Sequence, residues 1–323
     1  MSQKKPKFVT AYDMGDAMST PMRLPGGKGF FIRLALWTSA LLLLAYAFFG
    51  EKIIKAYGKF IIIMAELEGD TDPDPEIAFQ MFSEMGAIIG PALILTLLTW
   101  LVLASAETAF HKNMLRGTDE GVFPLRFGKD ELRVMIAQLC VSLTITGIYI
   151  GGGFVLSVWG YIAATSQAFG VVMGLLMIPA VIYWLFKMVQ VMVRLAPAAA
   201  MSVRDEKQRV FEGWHAVKGR TWPVFGSFII VYIIGYILTQ IVVWIGLLAA
   251  FGNNDLMNLF MGMIPDDPET LFSELGEMVK TKRVMIPLVV SVFLYTIIMI
   301  GCQIFMWGVS NYVAQTDETV GES

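Results

Sequence analysis

The chain contains two histidines, His111 and His215, and histidine is the side chain best suited to act as a general base near neutral pH. A general base also needs an oriented partner and a nucleophile or water site within hydrogen-bond reach. The acid nearest to His215 is Glu212, three residues earlier, and this spacing indicates a surface pair. A metal site needs three or four ligands, which two histidines and scattered carboxylates do not supply. We therefore predict a protein that is not an enzyme and holds no metal or cofactor, unless a histidine faces a pocket with a carboxylate.

Three ionisable side chains, Arg33, Glu107 and Lys187, fall inside strongly apolar segments. An ionisable group at the centre of a bilayer costs roughly 2.5–3.5 kcal/mol on insertion scales, so each is a functional candidate. Each lies near one end of its segment, and Gln190 follows Lys187 by one helical turn. We expect these residues to form a polar layer on the cytoplasmic side. Two interpretations stay open: interfacial anchoring, with Glu107 paired to Lys187, and a gate for an ion or substrate.

The segments that carry these residues are long enough to cross a membrane. The chain has 323 residues, of which 56% are hydrophobic and 16% charged, against about 25% charged in soluble domains. A membrane-crossing helix needs about 20 apolar residues. We predict an all-α integral membrane bundle of three helical hairpins, between cytoplasmic tails at 1–29 and 310–323. Its spans are expected at 30–49, 86–110, 134–165, 168–193, 223–251 and 284–309.

Lysine and arginine are distributed unequally between the two sides of this bundle, and their bias sets the orientation of a membrane protein. The tail before the first span and the segments 111–133 and 194–222 together carry sixteen of them. The segments 50–85 and 252–283 carry six, and both are acidic. We therefore expect both termini in the cytoplasm and the acidic segments outside.

The two acidic segments share a short pattern, Asp-Pro-Glu followed by Phe-Ser-Glu-(Met/Leu)-Gly. It runs from Asp74 to Gly86 and from Asp267 to Gly276. Asp as N-cap, Pro at the first helical position and Glu in the first turn favour a helix start. Each stretch is expected to form an interfacial amphipathic helix on the outer membrane surface. Internal repetition and chance similarity both stay open.

The connection before the fifth span has the composition of a second kind of interfacial helix. On a helix, Val203, Val210, Phe211, Trp214 and Val217 gather toward one side, which suits the acyl boundary of a membrane. Tryptophans suit the headgroup level, and basic residues suit anionic headgroups. The residues predicted to contact lipid are Arg204, Lys207, Arg209, Trp214, Lys218, Arg220 and Trp222.

Two stretches carry a resemblance to a known family. Trp214, Gly219 and Trp222, behind "APAAA" at Ala196–Ala200, resemble bacterial multi-pass proteins similar to the membrane domain attached to some glycerophosphoryl diester phosphodiesterases. The run "FPLRFGKDELR" at Phe123–Arg133 resembles alphaproteobacterial proteins of this kind. The resemblance covers about residues 90–310. It implies a six-helix bundle in a bacterial inner membrane without an assigned activity, and the phosphodiesterase barrel has no counterpart in this chain.

Together these observations favour a non-catalytic membrane organiser or accessory protein. Its expected partners are anionic lipids at the cytoplasmic connections and either an envelope protein or a second copy of the chain. The basic segments lack an aromatic platform, so no nucleic-acid partner is expected. The alternative is a transporter of a small solute or lipid, with a cytoplasmic polar layer around Glu107, Lys187 and Gln190.

Overall fold

The computed structural model describes residues 12–23, 27–68, 75–118, 121–165, 170–261 and 281–317. All regular secondary structure in these residues is helical, which confirms the predicted all-α class. The helices are α1 (Met14–Ser19), α2 (Gly27–Glu68), α3 (Pro75–Arg116), α4 (Lys129–Thr165), α5 (Gly170–Leu195), α6 (Ala198–Arg204), α7 (Gly213–Ala216), α8 (Thr221–Met261) and α9 (Lys282–Gln315), with a 3-10 turn at Thr20–Arg23.

Six helices of the described residues, α2 to α5, α8 and α9, are long and apolar enough to cross a membrane. They also carry large apolar side chains on their outer faces: Phe154 of α4 is 70% exposed and Val171 of α5 is 79% exposed. A helix that is apolar on all sides is typical of a membrane span, because lipid covers the face that no other helix covers. The chain is therefore a multi-pass membrane protein.

The helices extend well beyond the predicted spans. α2 and α3 contain 42 residues each, or about 63 Å at 1.5 Å per residue, whereas the hydrocarbon core is about 30 Å thick. Every predicted span lies inside one of these helices, apart from residues 168–169, which are outside the described residues. Apolarity marks only the part of a helix that crosses hydrocarbon, while backbone hydrogen bonding continues the helix past it.

The beginning of α3 corrects one prediction. Residues 75–85 form the first turns of α3 itself and no separate surface helix. Pro75 is the first helical residue, where its missing N–H costs nothing, and the residues up to Gly86 allow the helix to continue. Asp74 and the second copy of the pattern, Asp267–Gly276, lie outside the described residues.

The described residues divide into two compact units. The first unit comprises residues 12–31, 104–231 and 304–317, and the second comprises residues 32–103 and 232–303. Both sites described below belong to the first unit.

The core of the first unit is built on the last turns of α9. Val309, Val313 and Ala314 are buried there against residues of α1, α5, α6 and α8, such as Ala17 and Val224. Tyr12, just before α1, is fixed to the same core, because its hydroxyl lies 2.9 Å from Ser227 Oγ and its ring packs edge-on against Tyr312. Residues 12–23 thus belong to the folded structure of this unit.

The hairpin of α4 and α5, also in the first unit, is joined by two tryptophans. Trp159 Nε1 donates to the Met173 carbonyl at 3.1 Å, and Trp184 Nε1 donates to the Ile148 carbonyl at 3.4 Å. Gly152 gives the Trp184 indole its space, since a Cβ there would overlap that ring. Each indole satisfies its N–H on the neighbouring helix, where lipid offers no acceptor.

In the second unit, α8 and α9 approach closely at small residues. A Cβ on Gly246 would overlap Ser291 Oγ and lie 2.5 Å from Ser291 Cβ, and a Cβ on Gly235 would lie 2.5 Å from Cys302 Sγ. Small residues at such contacts let helix backbones pack closely in a membrane. One turn along α8 from Gly246, a buried apolar cluster is formed by Ala250, Phe251 and Val284.

We predict that Gly246→Ala lowers the free energy of unfolding by about 1–3 kcal/mol, because the added methyl overpacks the contact with Ser291. Thermal unfolding in detergent, followed by circular dichroism, measures the effect. Gly58→Ala is the matched control, since a Cβ at Gly58 of α2 meets open space. Ser291→Gly should restore the stability of Gly246→Ala, and a double variant as unstable as the single one would contradict the proposed contact.

Candidate functional site

The connection from α5 to α8 is not the single amphipathic helix that the sequence suggests. α6 ends at Arg204, a turn follows, and the four-residue α7 begins at Gly213. Glu206 adopts a left-handed conformation with φ 54°, which ends the helical path, and the Arg209 backbone N–H donates to Ser202 Oγ at 3.0 Å. Local side-chain hydrogen bonds thus replace helical ones here.

The apolar residues of this connection are divided between the core and the surface. Val203, Val210 and Val217 are buried, whereas Phe211 is 61% exposed and Trp214 is 36% exposed. The predicted continuous apolar side, which included all five, is therefore wrong. The turn between α6 and α7 rotates the two parts independently, so helical periodicity does not hold across it.

Asp205 organises the turn by forming ion pairs with two arginines. Its Oδ1 lies 2.7 Å from Arg204 Nε, and its Oδ2 lies 3.2 Å from Arg209 Nε. Arg209 Nη1 also contacts Glu212 Oε1 at 3.1 Å, so the acid nearest to His215 in sequence is paired with an arginine. Partial burial acts to raise the pKa of Asp205, but Arg204 and Arg209 outweigh it and hold this pKa below the usual 3.8.

Two of the predicted lipid-binding arginines instead bind the end of α9. Arg204 Nη1 donates to the Ala314 carbonyl, and Arg220 Nη1 donates to Thr316 Oγ1 at 3.0 Å. The last carbonyls of a helix have no partner within the helix, and they carry partial negative charge. Arg204 and Arg220 therefore stabilise the connection against α9.

The remaining predicted residues lie at the surface of the connection. Lys207 and Lys218 are exposed. Trp222, at the second residue of α8, is 52% exposed and packs against Phe186 at a centroid distance of 5.1 Å. The guanidinium of Arg194 lies over the Trp214 ring at 4.5 Å, a cation–π contact.

The predicted intramembrane layer does not form as expected. Lys187 is exposed on α5, with its Nζ 5.4 Å from the centroid of the Tyr183 ring and 3.5 Å from Gln190 Oε1. Glu107 hydrogen-bonds to other residues, and the described residues contain no ion pair between it and Lys187. Arg33 belongs to the second unit, whereas Glu107, Lys187 and Gln190 belong to the first.

Glu107 lies in a buried polar cluster with Gln138, His111 and Asn311. Its Oε2 accepts from Gln138 Nε2 of α4 at 2.5 Å, and its Oε1 lies 3.1 Å from His111 Nε2 on the next turn of α3. His111 Nδ1 lies 2.9 Å from Asn311 Oδ1 of α9. His111 and Asn311 are fully buried, and Glu107 is 7% exposed. Side chains of three helices thus share one buried hydrogen-bond chain.

Ion pairs between α3 and α4 adjoin this cluster. Lys112 Nζ lies 2.8 Å from Glu131 Oε1, and Arg116 Nη1 lies 2.8 Å from Asp130 Oδ2. The Phe110 ring packs against His111 at a centroid distance of 5.9 Å and against Trp307 at 6.0 Å. The two cations are therefore engaged with carboxylates other than Glu107.

The sequence interpretation missed His111 and Asn311 as members of this cluster. Both lie just past the predicted span ends at 110 and 309, where the helices continue to Arg116 and Gln315. The signal that was available is the spacing of Glu107 and His111, since residues four apart meet on one helix face. Gln138 joins the cluster from α4 through its hydrogen bond to Glu107.

No protein family, curated protein or solved structure matches this chain. The resemblance to the phosphodiesterase-linked membrane domain stays a prediction, and function has to be argued from the two sites.

Below about pH 4, protonation of Asp205 should destabilise the connection. The pKa of Asp205 is lower in the folded protein than in the unfolded chain. The stability that this difference contributes is present above the unfolded pKa and is lost as the pH falls through the folded pKa. Asp205→Asn should therefore lower the free energy of unfolding by about 1.5–3 kcal/mol at neutral pH and weaken the loss of stability on acidification. Thermal unfolding at a series of pH values measures both effects.

Glu51→Gln is the control for Asp205→Asn, because Glu51 forms an exposed pair with Lys55 and such pairs contribute little. Equal destabilisation by the two variants would contradict the role of Asp205.

Proposed function

We propose that this protein is a non-catalytic membrane organiser that binds anionic lipid through the connection between α5 and α8. The observation that carries the proposal is a difference between the arginines and the lysines of that connection. Arg204 and Arg220 bind the end of α9, and Arg209 pairs with Asp205. Lys207 and Lys218 stay exposed. A rigid support thus presents free ammonium groups.

Exposed aromatic side chains support this assignment. Phe211 and Trp222 are more than half exposed in a segment that lies directly between two apolar helices. A tryptophan at the end of a membrane span buries its ring among acyl chains and keeps its N–H in the headgroup region. Trp222 and Trp214 would therefore fix the depth of the connection, which places Lys207 and Lys218 near lipid phosphates.

The proposal includes an orientation. Sixteen of the lysines and arginines outside the spans lie in the N-terminal tail and the segments 111–133 and 194–222. We place this side, and both termini, in the cytoplasm of a bacterial cell with the chain in the inner membrane. The cytoplasmic leaflet carries anionic lipid, so each lysine near its surface would contribute about 1 kcal/mol to binding. Acidic segments on the other side would be available to an envelope protein.

The contacts favour this function over the alternatives. A general base needs an oriented carboxylate and access to a substrate or water. Glu212 near His215 accepts from Arg209, and His111, which does contact Glu107, is fully buried. A transporter gate built from Glu107, Lys187 and Gln190 would require these side chains to converge. Instead Glu107 contacts His111 and Gln138, and Lys187 lies over Tyr183.

The test is native mass spectrometry of the protein from nanodiscs that contain equal amounts of phosphatidylglycerol and phosphatidylcholine. The wild type should retain phosphatidylglycerol in excess. Lys207→Gln with Lys218→Gln removes about 2 kcal/mol of attraction, so the excess should fall by up to about thirtyfold. High salt should weaken it in the wild type, because exposed charges are screened.

Lys52→Gln with Lys282→Gln is the matched control, since both lysines are exposed and belong to the second unit. This control should retain phosphatidylglycerol as the wild type does. An excess that is unchanged in the Lys207/Lys218 variant, or lost equally in the control, would overturn the proposal.

A further inference from the structure

We propose that the buried pair Glu107–His111 is a proton-binding site, in which the two side chains hold one proton more than a carboxylate with a neutral imidazole. This inference is independent of lipid binding, because it rests on the hydrogen bonds among Glu107, His111, Gln138 and Asn311.

The contacts of the His111 ring determine its proton count. A neutral imidazole has one N–H and one bare nitrogen, which needs a donor. Here both ring nitrogens face oxygen atoms: Nδ1 lies 2.9 Å from Asn311 Oδ1, and Nε2 lies 3.1 Å from Glu107 Oε1. Both hydrogen bonds form at once only if a proton lies on Nδ1 and a second one lies between Nε2 and the carboxyl oxygen.

The other carboxyl oxygen indicates where the second proton lies. Gln138 Nε2 donates to Glu107 Oε2 at 2.5 Å, and a hydrogen bond of this kind stabilises the ionised carboxylate. The second proton therefore lies on Nε2, and His111 is an imidazolium that donates to Glu107. Two opposite charges in a buried site then compensate each other, which an isolated buried carboxylate could not achieve.

Charged groups on the neighbouring turns do not replace this compensation. On α3, Lys112 and Arg116 bind Glu131 and Asp130 of α4, at 2.8 Å in each case. α9 contributes the neutral amide of Asn311, and α4 contributes the neutral amide of Gln138. Among the contacts described for Glu107, His111 is the group able to carry positive charge.

Asn311 connects the proton to the position of α9. Its Nδ2 is buried without a hydrogen-bond partner while its Oδ1 accepts from His111. If the imidazolium loses a proton, Nδ1 of His111 becomes an acceptor. Rotation of the Asn311 amide by half a turn then brings its Nδ2 donor to this nitrogen. Loss of the proton also leaves Glu107, which is 7% exposed, without a counter-charge. Proton release is thus coupled to the packing of α3, α4 and α9.

The test uses isotope-labelled histidine in the full chain, reconstituted in nanodiscs, and nitrogen NMR of the imidazole signals. The chain has only two histidines, and His215 is exposed. His215→Gln therefore leaves His111 as the source of all imidazole signals. Ring nitrogens with and without a proton have well-separated shifts. We expect both His111 nitrogens to be protonated at neutral pH.

Three further measurements make the outcome decisive. Glu107→Gln keeps the shape of the side chain but removes its charge, so His111 should lose one proton. Asn311→Asp replaces the amide with an acceptor in either orientation, so both His111 nitrogens should remain protonated. The third measurement is infrared spectroscopy of the Glu107 carboxyl group. If His111 Nε2 carries no proton in the wild type, and a protonated-carboxyl band of the wild type is absent from Glu107→Gln, the shared proton lies on Glu107. That result also supports the site.

A bare Nδ1 in the wild type at neutral pH would overturn the proposal, because it means a neutral ring and a rotated amide. Where both ring nitrogens are protonated in the wild type, the proposal also fails if the His111 signals of Glu107→Gln match those of the wild type. Circular dichroism of each variant checks that its helices are retained, so that a changed signal reports on the proton.

Discussion

The first unit depends on one constraint: polar groups near apolar segments must find partners inside the protein. Lipid offers neither donors nor acceptors, and a buried unpaired group costs several kcal/mol. This constraint accounts for the indole of Trp184 on a carbonyl of α4, for the arginines on the last carbonyls of α9, and for the hydrogen-bond chain from Gln138 to Asn311. Apolar packing fills the space between helices, but these contacts determine which turns face each other.

Arginine and lysine serve different purposes in the connection between α5 and α8. The guanidinium is planar and donates in several directions, so Arg204 bridges Asp205 and the carbonyl of Ala314. The ammonium groups of Lys207 and Lys218 are compact, strongly hydrated charges on flexible chains, and they remain at the surface. A count of basic residues does not distinguish arginine from lysine. Such a count is informative about which side of the membrane a segment occupies, but it does not identify a binding site.

The fold class and the central parts of all six spans could be predicted from the sequence, since long apolar runs have one stable form in a membrane. Helix ends could not, because charged residues such as Lys112 and Arg116 stop the hydropathy signal while helical hydrogen bonding continues. The same gap hid Asn311, whose role depends on a partner 200 residues away. The α6–α7 turn was missed for a related reason: it depends on Asp205 capturing two arginines, and periodicity carries no information about such captures.

The attachment of the residues just before α1 constrains the order in which the protein can assemble. Tyr12 contacts Ser227, 215 residues later, and the backbone N–H of Asp13 donates to Tyr312, 299 residues later. Synthesis proceeds from the N-terminus, so Tyr12 and Asp13 leave the ribosome well before their partners on α8 and α9 are made. Until α9 is in place, α1 has no complete docking surface, and five spans have to coexist in the bilayer without a closed core. Closure of the first unit therefore waits until α9 has been made and inserted, however early α1 leaves the ribosome.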